Sequence, residues 1–161
     1  MRLLALLITL SCALGSSPAL AQMSPDPANA PINQPDLNQP DLSEAEATEI
    51  QALIQNQLDA FQADDAERAF GYAAPSIQAQ IGSPQRFLEM VQSQYAPVYR
   101  PQEVEFLDLT WIAGSLVQRV RLVGPRGERV IAVYGIEQQS DQSWRIKGCT
   151  LIPAIRGTTS A

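Results

Sequence analysis

Residues 84–123 read PQRFLEMVQSQYAPVYRPQEVEFLDLTWIAGSLVQRVRLV, and within this stretch the hydrophobic period changes. Ser83-Pro84 is an N-cap followed by proline at the first helical position. Phe87, Met90, Val91 and Gln94 or Tyr95 then recur at helical spacing. Pro97 and Pro101 close the helical half. From Glu103 onward the period falls to two. The expected strands are Val104–Trp111, Leu116–Val123, Arg129–Glu137 and Trp144–Ile152. Their connections are short, which makes an antiparallel meander. Helices followed by strands give an α+β fold, with the N-terminal helices packed on one face of a curved, mostly antiparallel sheet of about four strands.

Upstream, Ser43 and Glu46 form a capping box, and Glu44, Glu46 and Glu49 suit a helix N-terminus. Ile50, Leu53, Ile54, Leu58 and Phe61 form the apolar stripe of that helix. A second helix is expected to begin at Asp64 as N-cap, with Glu67 completing its box, and to stop at Pro75. A short helical piece from Ile77 to Ile81 ends at Gly82. The domain therefore spans 43–156, followed by a short flexible tail at 157–161.

Residues 22–42 read as a disordered, proline-rich tether. They hold five prolines and end in a repeat, Asn33-Gln34-Pro35-Asp36-Leu37 then Asn38-Gln39-Pro40-Asp41-Leu42. Two copies are too few for a solenoid. Residues 1–21 read as a signal peptide: Arg2, an apolar run from Leu3 to Leu14, and the cleavage site Ala19-Leu20-Ala21. The mature chain is expected to begin at Gln22, after cleavage following Ala21. It would be exported, to the periplasm or the medium of a bacterium, with no stable membrane insertion after cleavage.

The 161-residue chain has no histidine, which excludes Ser-His-Asp and Cys-His chemistry and imidazole metal ligation. Its two cysteines cannot make a four-ligand zinc site, and only Cys149 survives cleavage. No metal and no cofactor is implied. The mature chain carries 10 basic and 17 acidic residues, which argues against nucleic acid as a partner. Residues 22–99 hold 2 basic and 11 acidic groups, whereas residues 100–161 hold 8 and 6.

Phe61, Phe87, Tyr95, Tyr134 and Trp144 sit at inward spacings and are the candidates for lining a pocket; the alternative is that they simply fill a core. Asp64 and Asp65 are adjacent carboxylates, which capping explains better than catalysis. By strict alternation Cys149 shares a face with Arg145 and Lys147, where cations would activate a thiol; a buried, inert cysteine is favoured over that. Alternation also places Arg119, Arg121, Arg145 and Lys147 together on the outer sheet face. That face is either solvated or a docking surface for acidic groups, such as the acidic half of a second copy in a homodimer.

Ala60-Phe61, Asp64-Asp65, Ala69-Phe70, Ala73-Ala74-Pro75, Phe87, Met90-Val91, Tyr95 and Val98-Tyr99-Arg100-Pro101, with Trp144-Arg145-Ile146 and Gly148-Cys149 downstream, resemble the bacterial domain of unknown function 4864 family. The match covers nearly the whole domain and implies no activity. The layout is also similar to the nuclear transport factor 2-like superfamily. That similarity implies a cone with a pocket, used by some members for isomerase, dehydratase or epoxide hydrolase chemistry and by many for binding alone. Enzymes of that superfamily often use a histidine or an inward aspartate, and Asp108 is the one strand aspartate able to serve here. The expected role is non-catalytic binding of a small apolar ligand or a protein partner in the cell envelope. The alternatives are an isomerase or hydratase, with Asp108 as base and Tyr134 or Tyr95 as donor, and a purely structural interaction domain.

Overall fold

The structure, a computed structural model, describes residues 41–154. The expected signal peptide with its Ala21–Gln22 junction, the expected tether up to residue 40, and the expected tail lie outside the described residues. Helix α1 spans Glu44–Gln62 and starts as its sequence dictates. The Ser43 side chain accepts from the Glu46 amide, and the Ser43 amide donates to the Glu46 carboxylate, 2.9 Å. Its buried stripe is Ile50, Leu53, Ile54, Leu58 and Phe61, with Gln57 among them.

The turn after α1 departs from expectation. Asp65, not Asp64, caps α2 (Ala66–Gly71), accepting from the Arg68 amide at 3.0 Å. Asp64 takes a left-handed φ of 56° and faces Arg100 instead. Pro75 does not end α2; it opens α3 (Pro75–Ile81), which stops at Gly82 with φ 84°. Helix α4 (Pro84–Gln94) is capped by Ser83 as expected. Pro97 does not end the helical half either, because it sits in the first turn of the one-turn helix α5 (Ala96–Tyr99).

A clasp joins the two ends of the helical layer. Arg100 donates to both Asp64 carboxylate oxygens, 2.8 and 2.9 Å, and to the Phe61 carbonyl at the C-terminus of α1, which also accepts from the Asp64 amide at 3.1 Å. Its guanidinium lies 3.9 Å from the centroid of the Tyr99 ring, and the Tyr99 hydroxyl donates to Asp64. That hydroxyl and Arg100 hold the Asp64 carboxyl below its ordinary range. The contribution is therefore present at neutral pH and lost as pH falls through the lowered value. Replacing Arg100 with alanine is expected to cost about 1 kcal/mol, from the lost bonds to the Asp64 carboxylate and the Phe61 carbonyl together. A denaturant midpoint equal to wild type would contradict this.

The strands are β1 (Glu103–Ile112), β2 (Ser115–Val123), β3 (Arg129–Gln138) and β4 (Trp144–Pro153). They form one open antiparallel sheet in the order β1-β2-β3-β4, so the fold is α+β as expected. Leu116, Val120, Leu122, Ala132, Tyr134, Ile136 and Ile146 point inward and pack with the α1 stripe. Segment 72–74 runs beside β4, with the Ala74 amide donating to the Ile146 carbonyl, 2.8 Å, and the Ile146 amide to the Tyr72 carbonyl, 3.0 Å.

Two bulges interrupt the ladder. In β1, Phe106 pairs with Val120 and Leu109 with Gln118, so Leu107 and Asp108 together oppose Arg119. In β4, Ile146 pairs with Ile136 but Gly148 pairs with Gly135, leaving Lys147 as the extra residue. Each insertion bends its strand and reverses which side chains face inward beyond it.

Candidate functional site

A cavity of about 230 Å³ lies between the helices and the sheet. Phe61 and Gln57 of α1 contribute one wall, and Ile77, Gln80 and Ile81 of α3 another. Phe87, Met90 and Val91 of α4, with Tyr95 and Val98, line it further, while Tyr134, Ile146, Gly148 and Cys149 supply the sheet side. Phe87 is wedged between two rings, with centroid distances of 5.6 Å to Phe61 and 5.5 Å to Phe70.

Four of the five pocket candidates, Phe61, Phe87, Tyr95 and Tyr134, meet in this cavity. Trp144 does not. It lines a separate cleft of about 290 Å³ with Trp111, Leu42 and Glu46, at the N-terminal end of α1. Gln57, Ile77, Ile81, Val98, Gly148 and Cys149 also line this cavity and were not among the pocket candidates. Gln57 had a signal, a polar residue inside an apolar helical stripe; Gly148 and Cys149 had none, because the bulge decides their side.

The bulges correct two expectations. Alternation from Phe106 would aim Asp108 inward, but the β1 bulge gives the inward positions to Leu109 and Trp111. Asp108 instead pairs with Arg119 at 2.6 Å on the outer side, and both side chains are 43% exposed. Asp108 is thus not in the cavity, and neither Tyr95 nor Tyr134 shares a site with it. Alternation from Arg145 would aim Cys149 outward, but the β4 bulge turns it inward, opposite Tyr134.

No lining residue carries a carboxylate, an ammonium or a guanidinium. The polar groups are few. The Gln57 amide donates to the Ala69 carbonyl at 3.1 Å and is thereby engaged. The Tyr134 side chain is 1% exposed, and its hydroxyl has no hydrogen-bond partner among the described residues. The Cys149 thiol lies beside that hydroxyl without forming a well-directed bond to it. Burial pushes the Tyr134 phenol well above its ordinary range, and the neighbouring Cys149 adds to the shift.

Burial likewise pushes the Cys149 thiol from 9.0 up to about 12, offset only in part by Tyr134. An acid whose folded pKa is raised stabilises the fold fully below its unfolded value. That stability is then lost as pH rises from 9.0 toward about 12. The same shift removes about a thousandfold of the thiolate at mildly alkaline pH. Alkylation of Cys149 in the native protein is therefore expected to run at least about a hundredfold slower than in the denatured chain. Equal rates would show the thiol to be exposed.

The four outer cations are divided. Arg119 pairs with Asp108, and Arg121 pairs with Glu105 across the β1–β2 ladder. The Lys147 ammonium donates to the Ser115 hydroxyl at 3.1 Å, and its stem passes over Gly135, where a Cβ would come within 3.2 Å of it. The Arg145 guanidinium donates to its neighbour's carbonyl at Trp144. Two of the four charges are therefore answered within the sheet, which weakens the field an acidic surface would meet.

Among the described residues no group of three or more His, Cys, Asp or Glu side chains could hold a metal ion, and no helix is long and apolar enough to cross a membrane. A family model, described as a domain of unknown function (DUF4864), matches residues 43–159. No curated protein matches the chain.

Proposed function

Starting from the chain's membership of the family described as a domain of unknown function (DUF4864), we propose that this domain binds a small apolar molecule and performs no chemistry on it. The observation that carries the reading is the cavity: about 230 Å³, lined mostly by aromatic and aliphatic side chains and by no charged group. Sites for drug-sized ligands run from about 300 to 1,000 Å³, so the ligand is smaller than those. An apolar hole of about 150 Å³ holds benzene, so this one suits roughly nine non-hydrogen atoms. The helices-on-sheet layout, which is similar to the nuclear transport factor 2-like superfamily, supports a pocket in this place. An isomerase or hydratase would need a proton acceptor in the cavity, and Asp108, offered by the sequence for that role, faces the other way.

Cumene, a branched alkylbenzene of about this size, is the test. It is expected to raise the thermal midpoint of the wild-type protein in a concentration-dependent way. Ile77→Trp, at the half-buried α3 wall, is expected to fold and to abolish the rise. A wild-type midpoint indifferent to cumene would overturn the binding reading. The proposal includes export, on the strength of the apolar run before Ala19-Leu20-Ala21. Protein recovered outside the cytoplasm is expected to begin at Gln22; an intact Met1 on it would contradict cleavage.

A further inference from the structure

The geometry points to a particular class of ligand: a neutral molecule bearing one hydrogen-bond-accepting oxygen, seated with that oxygen on the Tyr134 hydroxyl. This rests on the cavity being a binding site, and it goes beyond that by naming what the site selects.

Three observations carry it. Buried hydroxyls are normally hydrogen-bonded, yet the Tyr134 hydroxyl, on a side chain 1% exposed and lining the cavity, has no partner among the described residues. The other buried polar side chain of the lining, Gln57, already spends its amide on the Ala69 carbonyl. Tyr134 is therefore the buried donor of the lining left without a partner, and the Cys149 sulfur beside it is only a weak acceptor for its proton. Finally, no lining residue carries a charge, so a carboxylate or an ammonium would surrender its hydration for one neutral hydrogen bond at most. Gln80 of the lining is exposed and Tyr95 only half-buried, while Phe61, Phe87, Ile77, Val91 and Ile146 offer apolar contact to the remainder of the molecule.

Three probes of matched shape separate the outcomes: acetophenone, cumene and benzoate. Wild-type protein is expected to bind acetophenone about five- to tenfold more tightly than cumene, the increment of one hydrogen bond to an otherwise unpaired donor. Benzoate is expected to show no binding. Tyr134→Phe is isosteric and removes only the unpaired hydroxyl, so it should fold, and it should bind acetophenone and cumene alike. A measurement independent of any variant is the infrared carbonyl stretch of acetophenone, which should move to lower frequency on binding to wild-type protein. Equal affinity for acetophenone and cumene in wild type, an unshifted carbonyl band, or tighter binding of benzoate would overturn the inference while leaving an apolar site in place. Failure of all three probes to bind would overturn the site itself, and the inference with it.

Discussion

Phe61→Ala is expected to destabilise the domain by about 3–5 kcal/mol and to lower its thermal midpoint by more than about 10 °C. The side chain is 1% exposed at the end of the α1 stripe, and its ring is one of the two that hold Phe87. Truncation removes that ring from a wall already bordering the 230 Å³ cavity. The new space merges with the old, so the surroundings cannot collapse to fill it, and the cost should lie at the upper end for such a change. The backbone carbonyl of residue 61 still accepts from Arg100, so the clasp at the end of α1 should persist. The enlarged cavity should then admit naphthalene, which the wild type would exclude. A loss below about 1 kcal/mol would show that the ring is not packed as described.

Gln118→Leu is expected to destabilise by about 2–3 kcal/mol, although it makes a fully buried position more apolar. Gln118 faces inward from β2, between Leu116 and Val120, and is 0% exposed. Its side-chain nitrogen donates to the carbonyls of Leu107 and Asp108, both at 3.2 Å, and of Arg119 at 2.9 Å. Leu107 and Asp108 are the bulged pair of β1, whose ladder is broken there. The glutamine thus supplies from the side chain what the neighbouring strand cannot supply from its backbone. Leucine matches its size but strands those acceptors, and that penalty exceeds the gain in apolar burial. The side-chain oxygen of Gln118 is itself unpartnered, which trims the cost without reversing it. Equal or greater stability of the leucine variant in urea would show that the bulge does not depend on Gln118.

Most of the fold was legible because it is written in short-range rules. The Ser43–Glu46 box, the Ser83-Pro84 start and the Gly82 stop each act within one turn of chain, and each appears where it was expected. The four strands begin and end within a residue or so of the period-two runs. Short connections made their antiparallel order the simplest one. Two prolines were misread, Pro75 and Pro97, because proline is accommodated in the first turn of a helix as well as after its end. Choosing between the two depends on what the flanking residues pack against.

The candidate site was only partly legible. Phe61, Phe87, Tyr95 and Tyr134 could be named from periodicity because no irregularity separates them from the pattern that identified them. Trp144 obeys its pattern and faces inward, yet it lies with Trp111 in the second cleft; period gives a face and not a position along it. Asp108 and Cys149 obey a pattern that the strands break. Alternation of side chains is a local property of an extended chain, and from it the sequence determines the elements, their caps, the antiparallel order and the apolar face of each helix. A bulge is a decision between two strands, made where a partner such as Gln118 can satisfy the carbonyls it frees. Because one added residue exchanges inside for outside, only the tertiary structure could send Asp108 out to Arg119 and bring Cys149 in beside the unpartnered hydroxyl of Tyr134.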